Sequence, residues 1–283
     1  MRSLVLGATG VVGGIIARRL VETNQSTFAL SRHPQQQCLN MEWLLGDLAA
    51  PTSLHLPSVD VIYATVHPQL LARALVHIPA PKRIVCFTSS SILTKLDSEI
   101  EAERNAVRQL AEGEENFRTV CGELNIPWTI LQPTLIYSEG RDANVTRIAD
   151  FARRFKFFPL AGPGCGLRQP VHAEDLATGA LSVTQTERTL NKTYVLAGGE
   201  TLTYREMVGR IFDGLGQPRC ILPVPPTIWK YTFRLAQSLF PRANYAMGLR
   251  MSLDMAFDQS DAINDFGWRP RKFRPEFGSD FIG

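Results

Sequence analysis

The chain has 283 residues, with 30 basic against 27 acidic side chains and a formal net charge of +3. This near balance gives no general field that would attract nucleic acid or anionic lipid, so the composition favours a small-molecule partner and no nucleic-acid partner. Hydrophobic residues make up 45% of the sequence and charged residues 20%, which is typical of a globular protein with a substantial core.

Neither a membrane span nor a metal site is expected. No apolar run is long enough to cross a bilayer, and no basic-then-apolar signal segment is recognisable. The cysteines show neither metal-ligand spacing nor a C-x-x-C pair, which indicates a reducing, cytoplasmic location. Cys86, which falls in an apolar run, is predicted to be a small core residue. The five cysteines are Cys38, Cys86, Cys121, Cys165 and Cys220.

The first predicted strand, Ser3–Leu6, leads directly into a glycine motif, Gly7–Gly13, and then into a helix. In this order the N–H groups of the helix N-terminus face a pyrophosphate, where the helix dipole favours negative charge. Gly7 permits the tight turn, Gly10 the close approach of phosphates, and Gly13 the packing of the helix on the strand. A glycine-rich turn without a ligand is the alternative, but the flanking elements favour a dinucleotide site. The cofactor contacts predicted here are Gly7, Thr9, Gly10, Val11, Val12 and Gly13.

Short apolar runs then alternate with amphipathic stretches, which predicts an α/β, Rossmann-type fold with a doubly wound parallel sheet. The predicted strands are Ser3–Leu6, Thr27–Ser31, Met41–Leu45, Val59–Tyr63, Arg83–Thr88, Trp128–Gln132 and Tyr194–Leu196. The predicted helical stretches are Gly14–Thr23, Glu99–Leu124 with an interruption by charge, and the basic stretch Asn144–Phe158, which Gly162–Gly164 ends.

The pattern changes from Glu200 onward. Thr203 is typical of a helix N-cap, and Pro223–Pro226 predicts a rigid turn. Ile228–Phe240 predicts an apolar helix that packs in the core or lines a substrate pocket; contact with a membrane or a partner is the alternative.

This change predicts two domains. Residues 1–199 would form the NAD(P)-binding domain, with 141–170 contributing to the substrate cleft. Residues 200–283 would form a smaller substrate-binding region.

The end of the second predicted strand bears on the choice of cofactor. A carboxylate there would bond the 2′-OH of NAD, whereas an arginine accommodates the 2′-phosphate of NADP. The chain has Ser31 and Arg32 and no acid there, which favours NADP(H) and leaves NAD(H) open; a solvated loop arginine is the alternative. Asp47 is predicted to accept from the adenine amino group, to cap a turn, or both. The remaining predicted cofactor contacts are Leu48, Ala64 and Pro133.

Several segments together resemble one superfamily. They are Gly7–Gly13, Gly46–Leu48, Thr88–Ser91, Thr129–Tyr137, Val171–Ala177 and Phe266–Pro270. They are similar to the extended short-chain dehydrogenases/reductases, specifically the NAD(P)-dependent epimerase/dehydratase branch, over nearly the whole chain. The resemblance implies an oxidoreductase or epimerase that acts on a nucleotide sugar or a related small carbonyl or alcohol compound. Whether the chain forms a homodimer is left open.

The catalytic pair of that superfamily, Tyr-x-x-x-Lys, is missing. The spacing of the family places it near Ala106 and Leu110, which cannot transfer a proton. Between Ser91 and Trp128 there is no tyrosine, and the single lysine, Lys95, lies too close to the serine strand. The resemblance is therefore to an atypical member.

Other residues could supply the chemistry. Ser89 matches the Ser or Thr that polarises the substrate oxygen in the superfamily. Tyr137 and His67 are the candidate proton donors, because both are expected at the carboxyl edge of the sheet, where such folds bind ligands. Aromatic packing is the alternative for Tyr137, and a turn before Pro68 is the alternative for His67. His172 is predicted to be structural.

Arg141, Asn144 and Arg168 stand where the resemblance implies contacts with the phosphates of a nucleotide sugar; for an arginine, a surface ion pair is the alternative. Gln132 stands where many relatives carry arginine. Two functions therefore stay open. The chain is either an atypical NAD(P)-dependent oxidoreductase or a non-catalytic NADP(H)-binding sensor or assembly factor.

Overall fold

The computed structural model describes residues 1–37, 40–225, 228 and 251–278. The chain divides into two compact units of three segments each. The predicted domains are continuous in the chain, whereas these units interleave, and the division into a cofactor-binding and a substrate-binding domain stays a prediction. Unit 1 comprises Met1–Pro133, Ala173–Leu196 and Gln259–Arg269; unit 2 comprises Thr134–His172, Ala197–Asp258 and Pro270–Gly283.

The strands are, in chain order, β1 (Arg2–Leu6), β2 (Ser26–Ser31), β3 (Met41–Leu45), β4 (Val61–Ala64), β5 (Arg83–Phe87), β6 (Trp128–Pro133), β7 (Ile136–Tyr137), β8 (Phe158–Ala161), β9 (Leu167–Arg168), β10 (Val171–His172), β11 (Lys192–Leu196), β12 (Leu202–Thr203) and β13 (Ile221–Val224). The helices are α1 (Val11–Glu22), α2 (Pro68–Leu75), α3 (Glu101–Glu123), α4 (Val145–Phe155), α5 (Ala173–Val183), α6 (Tyr204–Gly214) and α7 (Ser260–Phe266). Short 3-10 helices cover Pro51–Ser53, Ser90–Leu93 and Glu187–Thr189.

Unit 1 is built on a parallel sheet. Among the described residues its strand order is β3-β2-β1-β4-β5-β6-β11. This is the 3-2-1-4-5-6 order of the doubly wound fold with one further strand at the edge. The order reverses between β1 and β4, where Leu6 pairs with Ala64, and such folds bind ligands outside the carboxyl ends of the strands at this point. The predicted fold class is confirmed.

The central strands are apolar because helices cover both faces of a parallel sheet. Every residue of β4 and β5 is buried, and Leu4, Val5 and Leu6 of β1 are at most 1% exposed. Cys86 is fully buried in β5, as predicted, and burial raises the pKa of its thiol. The core of unit 1 thus holds the carboxyl ends of these strands in fixed positions.

Every strand predicted from the sequence overlaps an observed strand, with ends no more than two residues apart. The helix predicted with an interruption by charge is instead continuous as α3. The basic stretch ends as a helix at Phe155, because Lys156 takes a left-handed conformation (φ 63°) and β8 follows.

The rigid turn predicted at Pro223–Pro226 is wrong at Pro223 and Val224, and Pro226 lies outside the described residues. Ile221–Val224 forms β13, which pairs in parallel with β8 and places Pro223 opposite Leu160. A proline is compatible with an edge strand where its nitrogen, which carries no hydrogen, faces away from the pairing partner. The apolar helix predicted at Ile228–Phe240 lies outside the described residues, apart from Ile228.

Unit 2 contains short strand pairs around its own core: β7 with β10, β9 with β12, and β8 with β13. Gln169 joins two of its segments, Thr134–His172 and Ala197–Asp258. Its amide nitrogen donates to the Thr201 hydroxyl (3.1 Å) and the Phe257 carbonyl (3.3 Å), and its amide oxygen accepts from the Phe257 N–H (2.8 Å). No helix within the described ranges is long and apolar enough to span a membrane. The core of unit 2 includes Tyr137, Val145, Ala149, Met207, Ile211 and Phe273.

Candidate functional site

The glycine turn between β1 and α1 is shaped by its own backbone. Gly7 has a φ of +87°, which a side chain would strain, and its carbonyl accepts from the Gly10 N–H at 2.9 Å. A Cβ on Gly13 would lie 2.3 Å from the Gly7 carbonyl oxygen, so Gly13 is required for packing. A Cβ on Gly10 would meet only that oxygen among the described atoms, at 3.2 Å. The space over Gly10 is therefore open.

The open side of the turn is the N-terminus of α1. Thr9 and Gly10 are exposed, while Val12 is buried, so Val12 can offer a ligand only its backbone. Gly10 is the N-cap and has no side chain to accept from the first-turn N–H groups. These groups and the positive end of the helix dipole suit an anion such as a pyrophosphate.

Thr65, which follows β4 directly, holds the turn in place and was not found from the sequence. Its hydroxyl lies 3.2 Å from the Leu6 carbonyl oxygen and 3.3 Å from that of Gly7, and its N–H donates to Leu6 at 2.9 Å. A Cβ on Gly7 would lie 2.4 Å from this hydroxyl. Sequence reasoning could have found Thr65 from its position directly after the fourth strand, because parallel strands end at one edge of the sheet.

The loop after β2 lies beside this turn, because Leu30 pairs with Leu6 in the sheet. Ser31 is buried, and its hydroxyl is bonded to both the carbonyl (2.8 Å) and the N–H (3.2 Å) of His33. Arg32, between them, is exposed and forms no ion pair with any described residue. Its guanidinium is thus available to a ligand at this edge.

The remaining predicted cofactor residues also lie at strand ends of unit 1. Asp47 caps its own turn, accepting from the Ala49 N–H at 3.0 Å, which agrees with the capping alternative and leaves its other oxygen for a ligand. The Leu48 side chain packs in the core. Ala64 and Pro133 are buried at the carboxyl ends of β4 and β6. A direct contact of any of them with a cofactor stays a prediction.

Ser89 begins the short 3-10 helix that follows β5. Its hydroxyl accepts from the Ser91 N–H at 3.2 Å, which leaves its own hydrogen free to donate. Among the described residues, the neighbouring buried Thr88 hydroxyl has no hydrogen-bond partner. Two hydroxyls at the end of β5 can therefore bind a polar group.

His67 serves as the N-cap of α2, with Nδ1 accepting from the Gln69 N–H at 3.3 Å. The ring lies beside α3, where a Cβ on Gly113 would be 3.2 Å from its Cε1 atom. This contact favours the turn interpretation. Because Nδ1 accepts this hydrogen bond, a proton that the ring donates would have to come from Nε2, and proton donation by His67 stays a prediction.

Tyr137 lies in the core of unit 2 and is 1% exposed. Its ring packs edge-on against His172 and Phe273, each with centroids 4.9 Å apart, which favours the packing interpretation. His172 in turn contacts Glu139 at 3.1 Å. Burial by itself raises the pKa of the Glu139 carboxyl, but the hydrogen bond with His172 and nearby backbone N–H groups outweigh burial and lower the pKa.

The predicted substrate residues of unit 2 have different surroundings. Arg168 is 3% exposed and donates to the carbonyls of Leu167 (2.6 Å) and Leu253 (2.7 Å). Arg141 and Asn144 are exposed, and Arg141 forms no ion pair with a described residue. Contacts of these side chains with a substrate stay predictions.

Asp142, which the sequence reasoning did not single out, caps α4 in place of Asn144. One of its oxygens accepts from the N–H groups of Asn144 and Val145, both at 2.7 Å, and the other from the Thr146 hydroxyl at 2.7 Å. A cap is expected immediately before the first helical residue, the position of Asn144, so residue 142 gave no such signal. Its carboxylate already occupies the N-terminus of α4.

No family model matches this sequence. The chain is 30% identical over 104 residues to a mitochondrial protein of Dictyostelium discoideum, NADH dehydrogenase (ubiquinone) 1 alpha subcomplex subunit 9. The matched region covers 36% of this chain and 29% of that protein. The chain is 23% identical over 160 residues to UDP-glucose 4-epimerase of Vibrio cholerae, covering 56% and 47%. It is 24% identical over 267 residues to 2-alkyl-3-oxoalkanoate reductase of Stenotrophomonas maltophilia, covering 77% of each. The chain thus spans less than half the length of the first two.

Solved structures share the architecture across almost the whole chain. MoeE5 in complex with UDP-glucuronic acid and NAD superimposes with a TM-score of 0.72 at 16% identity, covering 96% of this chain and 95% of its own. UDP-glucuronic acid 4-epimerase of Bacillus cereus in complex with NAD gives 0.72 at 15% identity, covering 96% and 93%. The protein has a Rossmann-type fold.

In this Rossmann-type fold, α3 carries Ala106 and Leu110, the positions near which the resemblance expects the tyrosine and lysine. Ala106 is exposed and Leu110 is half-buried, and neither side chain titrates. The next turns hold a buried carboxylate instead: Glu114, 3% exposed, accepts from Gln132 at 3.0 Å and from Arg118. Gln132 therefore serves as a donor to Glu114.

Proposed function

We propose that the protein binds NADP(H) and acts as an NAD(P)-dependent, epimerase/dehydratase-like oxidoreductase on a nucleotide sugar or a related small carbonyl or alcohol compound. The observation that carries this proposal is the open N-terminus of α1 above Gly10, held by Thr65 at the switch point of the sheet. MoeE5 and the Bacillus cereus epimerase, which share the fold, are both described as complexes with NAD, which supports a nicotinamide cofactor.

The chain offers a hydrogen-bond partner for the pyrophosphate, the 2′-phosphate and the adenine of such a cofactor. The N–H groups of Val11 and Val12 would bind the pyrophosphate at the N-terminus of α1. Arg32 would bind the 2′-phosphate through charge-assisted hydrogen bonds, and Asp47 would accept from the adenine amino group. A preference for NADP(H) over NAD(H) follows from Arg32 and from the absence of an acid beside it.

The reaction would depend on hydroxyl groups at the end of β5. When bound, the nicotinamide supplies or accepts a hydride. Ser89 would donate its free hydrogen to the substrate oxygen, which stabilises the negative charge that develops there. Tyr137 and His67 remain the proposed proton donors, although the surroundings of both favour structural roles.

The curated relatives support this class of reaction. One is an epimerase of a nucleotide sugar and another is a reductase of an oxoalkanoate, so both handle a carbonyl or alcohol group. Arg141 and Asn144, which are exposed, are the proposed contacts for an anionic part of the substrate; Arg168 is already bonded to two carbonyls. A cytoplasmic homodimer is the proposed form, which cell fractionation and light scattering would test.

A non-catalytic NADP(H)-binding sensor or assembly factor is the second candidate. The specific observation that favours it is the pair of non-titrating residues on α3, Ala106 and Leu110, at the positions where the resemblance expects a proton donor. The partial match to a subunit of a respiratory complex agrees with such a role.

One experiment separates the two candidates. The purified protein is titrated with NADPH and NADH, and the bound NADPH is then offered nucleotide sugars and small carbonyl compounds while its absorbance is followed. Oxidation of NADPH with one substrate supports the enzyme. Tight binding without oxidation supports the sensor or assembly factor, and absence of binding contradicts both.

A further inference from the structure

We infer that Ser31 sets the cofactor preference indirectly, by fixing the backbone on both sides of Arg32, and does not itself contact the cofactor. The inference deepens the proposed function, because it rests on the proposal that Arg32 binds the 2′-phosphate. It makes Ser31 a positioning residue for cofactor specificity.

The hydrogen bonds of the Ser31 hydroxyl carry the argument. The hydroxyl donates to the His33 carbonyl at 2.8 Å and accepts from the His33 N–H at 3.2 Å. It also accepts from the amide nitrogen of Gln35 at 3.4 Å. A serine hydroxyl has one hydrogen and two acceptor lone pairs, so this hydroxyl has none left for a phosphate.

The same residue is tied to the sheet from its other side. Its carbonyl accepts from the Gly46 N–H at 3.0 Å, which joins the ends of β2 and β3. Ser31 is 8% exposed, whereas Arg32 and His33 are exposed. The arrangement therefore holds the backbone at residues 31 and 33 while the Arg32 side chain points to solvent beside the glycine turn.

The energetic consequence follows from side-chain and loop entropy. A guanidinium on a fixed backbone loses less freedom when it binds a phosphate than one on a mobile loop. Removing the hydroxyl should weaken binding only of the cofactor that has a 2′-phosphate. NADH, which uses the same glycine turn but has no 2′-phosphate, serves as the internal control.

The test is a double-mutant cycle on cofactor binding, with Ser31→Ala, Arg32→Ala and the double variant. Dissociation constants for NADPH and NADH are measured by fluorescence titration, and melting temperatures are recorded for each variant. Ser31→Ala should weaken NADPH roughly three- to tenfold and leave NADH unchanged. The double variant should bind NADPH as weakly as Arg32→Ala alone, because Ser31 acts through Arg32. Ser53→Ala, which removes a similar local bond to the Ala50 carbonyl, is the matched control and should change neither constant.

Each outcome supports or contradicts the inference. Additive losses in the double variant would mean that Ser31 contacts the cofactor itself. Equal losses of NADPH and NADH affinity in Ser31→Ala would mean a general effect on the fold. Either result overturns the inference. If Arg32→Ala weakens NADPH but Ser31→Ala does not, the inference fails and the proposed NADP(H) preference stands. If Arg32→Ala has no effect, both fail.

Discussion

The amide nitrogen of Gln132 on β6 lies 3.0 Å from one carboxylate oxygen of Glu114 on α3 and 3.2 Å from the other. Both residues are buried, at 4% and 3% exposure. Arg118, one turn further along α3, also donates to this carboxylate and lies over the Trp128 ring at 5.7 Å. Gln132 thus belongs to a network that keeps a buried charge bonded.

Loss of the Gln132 amide should therefore destabilise unit 1. Gln132→Leu leaves Glu114 with one donor fewer, and we expect the free energy of unfolding to fall by about 1–3 kcal/mol. Chemical denaturation measures this change. Gln109→Leu, on the exposed side of α3, is the control and should have little effect. Equal stability of Gln132→Leu and the parent protein would contradict the role of the network.

The network also shows what sequence reasoning can and cannot reach. The strands of the sheet were predictable because each is a short, continuous apolar run between turn residues. The contacts of Gln132 and Thr65 were not predictable, because each joins groups far apart in the chain: 18 residues from Gln132 to Glu114, and 58 from Thr65 to Gly7. The proline-containing strand β13 was missed because its pairing with β8, not its own composition, makes it a strand.

The same distinction applies to the site. The glycine turn was predictable because each glycine answers a local geometric need, as the φ of Gly7 and the packing of Gly13 show. The position of Tyr137 after a strand was predictable, but its burial and ring packing depend on unit 2 as a whole. Sequence reasoning thus predicts the glycines of the turn more readily than it predicts the role of a side chain such as that of Tyr137.

Acid should destabilise unit 2 through Glu200. This carboxylate accepts from Arg274 at 2.8 Å, the Phe273 N–H at 2.7 Å and Arg210. Burial alone raises its pKa, but these donors outweigh burial and lower it from 4.5. A group with a lowered folded-state pKa contributes stability that is present above its unfolded value and is lost as pH falls through the folded value. We expect the melting temperature of the parent protein to fall below about pH 4.5.

The variant that checks this effect is Glu200→Gln, which should have a lower melting temperature at neutral pH and a flatter dependence on pH below that value. Glu112→Gln, on the exposed side of α3, provides the comparison and should retain the pH profile of the parent protein. A Glu200→Gln profile parallel to that of the parent protein down to low pH would show that other groups govern acid unfolding.

Two glycines of the turn should respond differently to substitution. Gly10→Val should abolish NADPH binding and leave the fold largely intact, because its side chain would enter the open space where the pyrophosphate is proposed. Gly13→Ala should lower the melting temperature, because its Cβ would lie 2.3 Å from the Gly7 carbonyl oxygen and 2.7 Å from the Thr65 hydroxyl. Cofactor titration beside a circular dichroism melt measures both. Normal binding by Gly10→Val would show that the phosphates lie elsewhere.

Arg32 should decide between the two cofactors. Arg32→Ala removes a charge-assisted contact worth about 1.5–3 kcal/mol, which is roughly a ten- to hundredfold loss in NADPH affinity. Binding of NADH should stay as in the parent protein. Arg73→Ala removes another exposed arginine, on α2, and controls for net charge. Equal affinities of the parent protein for NADPH and NADH would rule out the proposed preference.

The hydroxyl groups of Ser89 and Thr88 at the end of β5 are the proposed donors to the substrate oxygen. If the protein is an enzyme, Ser89→Ala should lower single-turnover hydride transfer from bound NADPH by about a hundredfold or more, because the donor to the substrate oxygen is lost. Thr88→Val tests the second hydroxyl at the end of β5, which has no partner among the described residues. Unchanged NADPH affinity in both variants would show that the loss is in the chemical step.

Tyr137→Phe and His67→Ala then test the proposed proton donors. Loss of a general acid costs a further factor of about a hundred or more in the rate of transfer, and that loss would identify the donor. A residue of this pair that only packs or caps should instead lower the melting temperature and leave the rate of transfer unchanged, because Tyr137 is buried and His67 caps α2. Transfer undiminished in the Ser89, Tyr137 and His67 variants would refute the proposed catalytic site. If no substrate elicits transfer even in the parent protein, the non-catalytic, cofactor-binding function is supported, because bound NADPH then has no acceptor to reduce.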